Sequence, residues 1–201
     1  MKKIIEVELR TIDTIKDESL ELYKKIIEKN YDINVDGDWY DSDYDDIKTM
    51  LGFCGFKTPE IHFSGFSCQG DGANFTGNFY RRDINFNALA AYAPKEEFFL
   101  LFATLLADLT KPFEDARFTL YKSSFRYEHE NTVDIKDFVS DNDILYSTIP
   151  ESEILDACRK IMKVIYQKLE KQYEYLTSED AIYETLDDNE YYFNDMGEIV
   201  E

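Results

Sequence analysis

An α+β fold with an antiparallel sheet is predicted for this chain of 201 residues by three features. Ile61–Phe79 (IHFSGFSCQGDGANFTGNF) reads as two apolar–polar alternating runs joined by Gln69-Gly70-Asp71-Gly72, and a period of two is the signature of a strand. Ala116–Tyr127 and Thr132–Phe138 alternate in the same way, with Glu128–Asn131 between them. Ser152–Leu176 instead repeats at helical spacing, with Ile154, Leu155, Cys158, Ile161, Met162, Ile165 and Leu169 on one stripe. The expected architecture is a single domain, 1–201, built around a central hairpin at about 60–81 with helices packed on it, and carrying an acidic C-terminal segment, 172–201.

In chain order, Ile4–Arg10 alternates and forms an opening strand, its β-branched residues suiting a central place. Thr14–Asn30 forms one helix with Leu20, Tyr23, Ile26 and Ile27 on one face. Asp32–Asp46 carries seven aspartates, and a second helix begins within it and ends at Gly52–Gly55. Acids at that helix start suit the positive end of its dipole. Within the hairpin, Gly70, Asp71 and Gly72 supply the left-handed positions of a tight turn. Gly65 and Gly77, inside the strands, mark a bulge or a close approach. Phe86–Tyr92 is a short helix ended by Pro94. Lys95–Leu109 follows as a helix so apolar around its circumference (Phe98, Phe99, Leu101, Phe102, Leu105, Leu106, Leu109) that burial on all sides is expected. Thr177-Ser178-Glu179-Asp180 caps a helix over Glu179–Leu186. Tyr191–Phe193 and Gly197–Val200 make a closing hairpin.

Charge bounds the partners. The 22 Lys+Arg stand against 42 Asp+Glu, a net −20, which repels phosphate backbones and anionic membranes and argues against direct nucleic-acid binding. The 15 Tyr and 15 Phe provide a core that a disordered acidic chain lacks. No apolar run reaches membrane length, and MKKIIEVELR has no signal-peptide pattern. Cys54, Cys68 and Cys158 form no CxxC pair, and with two histidines they suit buried free thiols in a reducing cytoplasm.

Several chemistries are open to test. Asp32, Asn34, Asp36, Gly37, Asp38 and Asp43 occupy positions one, three, five, six, seven and twelve of a helix-flanked calcium loop. Position eight is Trp39, and no sister loop exists. Asp41, Asp45, Asp46 and Asp71 could serve a two-metal hydrolase, with Lys48 and Arg81-Arg82 as the available bases. His62 and Ser64 share a strand face, without a specified orienting acid. QGDG runs into another strand, so no phosphate cradle opens a helix there.

Four segments, DWYDSDYDD, IHFSGFSCQGDGANFTGNF, FRYEHENTVDI and KLEKQYEYLTSEDAIYETLDDNEYYFNDMG, follow one another between Ile5 and Gly197. In that order the chain resembles a family of phage- and plasmid-encoded proteins commonly labelled antitoxin of a toxin–antitoxin stability system. The patterns FSGFxSQGDGAxF and YEYLTSxE carry the resemblance. The chain departs from it at Cys68, where a serine usually precedes the glutamine, and at Ser67, often bulkier. The resemblance implies a mobile-element accessory protein inside a bacterium, and a shared surface formed by Trp39, Asp41, Tyr44 and Asp45 with Ser64, Gly65, Gln69, Gly70 and Asp71. Asp46 extends the acidic row beside them.

The expected function is therefore non-enzymatic: an acidic, cytoplasmic accessory protein that binds and inhibits a basic host defence factor or toxin, without a cofactor. In one form of this reading, the base-free stretches Asp32–Asp46 and Gln172–Glu201 imitate the phosphates of a duplex. The alternative is a metal-dependent hydrolase or calcium-binding module, with calcium or magnesium held by Asp32–Asp46.

Overall fold

The computed structural model of the chain describes residues 9–123, 127–139 and 150–200. Its first elements are strand β1 (Arg10–Thr11) and helices α1 (Ile12–Glu18), α2 (Leu20–Lys29) and α3 (Asp41–Phe53). Strands β2 (Cys54–Ser64) and β3 (Gly72–Ile84) follow, then α4 (Phe86–Tyr92), α5 (Glu97–Leu109), β4 (Arg117–Lys122) and β5 (Val133–Val139). The chain continues through α6 (Glu151–Leu176), α7 (Glu179–Asp188), β6 (Tyr192–Phe193) and β7 (Ile199–Val200). The fold is α+β, with both sheets antiparallel. Within this single domain the residues gather into two compact units: one combines the chain up to Trp39 with the chain from Lys171 onward, and the other is continuous, Tyr40–Glu170.

The terminal unit holds a small sheet in the order β1-β6-β7, with Arg10 opposite Phe193 and Tyr192 opposite Val200. The closing hairpin is as expected. The opening strand is represented by Arg10–Thr11, and its expected stretch from Ile4 to residue 8 lies outside the described residues. Ile12, Ile15, Tyr23, Ile26, Ile182, Leu186 and Phe193 form the core of this unit. The helix expected over Thr14–Asn30 is two helices. Ser19, extended at φ −151°, ends α1 by donating its N–H to Ile15 O at 2.8 Å. It also starts α2, its Oγ accepting the Leu22 N–H at 3.3 Å. Serine competes for backbone partners, and this one serves two helix ends at once.

The central unit is a four-stranded meander, β2-β3-β4-β5. The predicted hairpin is β2–β3, longer than its alternating core and with β2 at the sheet edge. The tight turn is not present. Pairing ends at Ser64 opposite Gly72, and Gly65–Asp71 forms a longer loop. That loop holds its shape because Asp71 Oδ2 accepts the N–H groups of Ser67 at 2.9 Å and Cys68 at 2.6 Å, with Gly65 and Gly70 at positive φ. Gly77 marks a bulge as expected: the register slips between Lys57 and Glu60, and a Cβ there would meet Lys57 O at 3.2 Å.

Phe56, Phe75, Phe79 and Phe118 fill the space between sheet and helices, with Phe56 edge-on to Phe75 at 5.0 Å and parallel to Phe102 of α5 at 6.1 Å. On α6 the expected stripe is buried except Leu155, which is half-buried, while Ala157 joins the buried set. The expectation for α5 is corrected. Phe99, Phe102, Ala103 and Leu106 face the core, but Phe98 and Leu101 are 61% and 64% exposed. One helix side is enough to cover the sheet, so the opposite side of an all-apolar helix is left outside.

Candidate partner-binding surfaces

The residues of the expected shared surface divide between the two units. Trp39 packs against Tyr173 at 5.8 Å in the terminal unit. In the central unit, Tyr44 meets Tyr40 at 4.8 Å and stands edge-on to Phe63 at 6.4 Å. Phe63 stacks on Phe66 at 5.3 Å, and Phe66 reaches Tyr166 of α6 at 5.4 Å. This aromatic row fastens α3 and the hairpin loop to α6. Burial is the first cause that raises the Tyr44 phenol, with Tyr40, Glu128 and Asp41 adding to it. Ser64 donates its hydroxyl to Glu128 O at 3.3 Å. Asp71 is committed to its own loop, and Asp46 accepts the Tyr92 hydroxyl at 2.6 Å. Asp41, Asp45 and Gln69 face solvent.

Asn74, at 0% exposure, donates to Glu128 Oε2 at 2.8 Å, and Lys122 binds the other carboxylate oxygen. Burial raises the Glu128 carboxyl, but these two hydrogen bonds outweigh it and leave the group below its ordinary value. His62 is exposed on the hairpin, over a hollow of about 500 Å³ that Lys122 and Tyr121 also line. Among the described residues, these contacts build a braced junction of β3, β4 and the Glu128–Thr132 segment. Sequence reading did not single out Asn74 or Lys122.

The calcium-loop residues are placed as follows. Asp32, Asp36 and Asp38 are exposed, whereas Asn34 is bound on both sides: its amide donates to Leu176 O at 3.0 Å and its Oδ1 accepts from Thr185 Oγ1 at 2.7 Å. Asp43 lies in the first turn of α3, its carboxyl raised mainly by burial and by Asp46, with Lys168 opposing. Among the described residues no three His, Cys, Asp or Glu side chains gather as a metal-holding group.

Asn34 has a larger consequence. It ties the acidic loop to the acidic C-terminal segment, and the tie is reinforced by Tyr31, whose hydrogen bond is the main cause raising the Tyr173 phenol. The terminal unit thereby collects 20 Asp+Glu against 8 Lys+Arg, a net −12 in 70 residues. The central unit has 22 against 14, a net −8 in 131 residues.

A second surface was not anticipated. Phe98, Leu101 and Leu105 of α5 border a groove of about 340 Å³ with Ala157, Ile161 and Val164 of α6. Lys160 is the one charged residue lining it. The signal lies in the all-round apolar character of α5, which sequence alone does not distinguish from burial. A helix that is apolar on all sides needs cover on all sides, and the fold supplies it on one.

The family model for a domain of unknown function, DUF8835, matches residues 39–179. The chain belongs to the DUF8835 family. The matched span contains the whole central unit, with the aromatic row, the groove and the Asp71 loop. It leaves out β1, α1 and α2 and most of α7. No curated protein and no solved structure matches the chain. Among the described residues no helix is long and apolar enough to cross a membrane.

Proposed function

We propose that this DUF8835 protein is a non-catalytic, acidic binding protein that occupies a basic partner and inhibits it. The observation that carries this reading is that the first part of one base-free stretch, Asp32, Asp36 and Asp38, shares a compact unit with the base-free segment from Gln172 onward and is tied to it by Asn34 through Leu176 and Thr185. Asp41, Asp43, Asp45 and Asp46 belong instead to the central unit. The described residues of the terminal unit, 9–39 and 171–200, carry 17 Asp+Glu against 6 Lys+Arg, and the helices and strands of this unit pack on one apolar core. Such an array offers a phosphate-binding protein the charge it evolved to bind, and it steers a basic protein at long range. Spacing decides, because free charge is screened within about 8–10 Å at physiological salt. The resemblance to phage- and plasmid-encoded proteins supports a place in a bacterial cytoplasm and a host defence factor or toxin as the partner.

The test is capture and competition. The immobilised protein is exposed to host lysate, and saturable partners are eluted with duplex DNA or with salt. The expected result is a basic protein released by either. Replacing Asp32, Asp36, Asp38, Asp187 and Asp188 by asparagine should weaken its capture several-fold with the circular dichroism spectrum unchanged. No saturable partner, or capture indifferent to DNA and to these replacements, overturns the reading.

A further inference from the structure

The α5–α6 groove has a different chemistry from the acidic unit. On α5 the exposed residues Phe98, Leu101 and Leu105 are spaced i, i+3, i+7, and on α6 Ala157, Ile161 and Val164 are spaced i, i+4, i+7. The exposed seam therefore belongs to α5, and it borders a hollow whose floor is the buried Ala157 and Ile161 of α6, with the half-buried Val164 and the exposed Lys160 at its far rim. An exposed apolar row beside a hollow of side-chain size suits a partner that offers an apolar row and a hollow in return, as a second copy of the same face does.

Charge selects among possible occupants. The α5 row runs Glu97, Leu101, Leu105, Asp108 at spacings of four, four and three, so it is apolar in the middle and acidic at both ends. The α6 side contributes Lys160 to the groove itself. A uniformly basic helix would face Lys160, and a uniformly acidic one would face Glu97 and Asp108. A face that carries both signs around an apolar centre is complementary to its own two-fold image. The following lysines of α6 are already paired inside the unit, Lys163 with Glu130 and Lys168 with Glu96.

We infer that the α5–α6 groove is a self-association surface whose occupant is the same two-helix face of a second copy of this chain. Leu101 and Phe98 of one copy enter the hollow of the other, and Lys160 meets the acids that end the opposing α5 row. A dimer of this kind joins two acidic units in one particle, which would give a bivalent ligand for a repetitive basic surface.

Sedimentation velocity of the full chain across a micromolar concentration series tests this. A concentration-dependent dimer is expected. Leu101→Glu and Phe98→Ser should each raise its dissociation constant by more than about tenfold, and Lys160→Glu by several-fold. Both apolar side chains are mostly exposed in the single copy, so these variants should melt like the parent. Added salt should strengthen the dimer, because it screens the repulsion between two copies of net charge −20. The capture of a basic partner should weaken under the same salt, so the two readings fail separately. A chain that stays monomeric at the highest concentration, or a dimer indifferent to Leu101→Glu, overturns the inference. If Leu101→Glu leaves a monomer unchanged and abolishes capture of the basic protein, the groove belongs to that partner and self-association is wrong.

Discussion

Asp71 Oδ2 accepts the backbone N–H of Cys68 at 2.6 Å and that of Ser67 at 2.9 Å, so one carboxylate organises the loop between β2 and β3. Asp71→Ala removes both charge-assisted hydrogen bonds and should cost roughly 1–3 kcal/mol. Asp71→Asn keeps an acceptor oxygen and should cost less. Thermal melts of the two variants check the order, and an alanine variant as stable as the parent would contradict the role given to Asp71.

Gly55 and Gly37 sit at nearly the same φ, 98° and 100°, in opposite surroundings. A Cβ on Gly55 would lie 2.9 Å from Tyr80 O, whereas one on Gly37 meets nothing within 4 Å. Gly37→Ala should therefore cost only the left-handed backbone term, about 1–2 kcal/mol. Gly55→Ala should add the cost of forcing two strands apart, roughly another 1–3 kcal/mol. Chemical denaturation of both variants measures the difference.

Of the three thiols, Cys54 and Cys158 are buried and Cys68 is exposed, a departure from the expectation that all three would be buried. Burial pushes the Cys54 thiol up to about 12 and raises Cys158 as well. A thiol-specific reagent should modify Cys68 alone in the native protein and all three after unfolding. Native labelling of Cys54 would show that the helix layer opens readily.

Tyr23 and Tyr183 make the terminal unit sensitive to alkali. Burial first, then the hydrogen bond to Glu179, pushes Tyr23 up to about 12, and the hydrogen bond to Asp13 is the main cause that lifts Tyr183 to about 12. A folded-state value above the ordinary 10.0 means that the neutral phenols contribute stability in full below pH 10. That contribution is lost as pH rises toward 12. Denaturant midpoints should fall across this window, and Tyr183→Phe should flatten part of the fall.

Local periodicity carried most of the architecture into view. The α6 stripe, the Ser178 cap of α7 and the alternation of β2 and β3 all depend on neighbours a few residues apart. Features set by distant partners were out of reach. Nothing near Asn34 tells that its amide meets Leu176 O, across 142 positions of sequence. The helix break at Ser19 was hidden because apolar residues keep helical spacing through it. Gly70-Asp71-Gly72 signals a tight turn, but the Asp71 side chain folds back onto the backbone and selects a longer loop. For α5, composition points to burial all round and cannot tell which side the sheet covers and which it leaves exposed.

The acidic unit is closed by strands from either side of the central unit's sequence, Arg10 opposite Phe193, so that Tyr40–Glu170 is an insertion between them. On a translating ribosome, Tyr40–Glu170 is complete before any residue from Lys171 onward exists. The central unit, with its groove, can form during synthesis, whereas β1 must wait for β6. The surface that would engage a basic partner thus matures after the central unit. A chain stopped just after Glu170 would lack that surface while still carrying every residue that lines the α5–α6 groove.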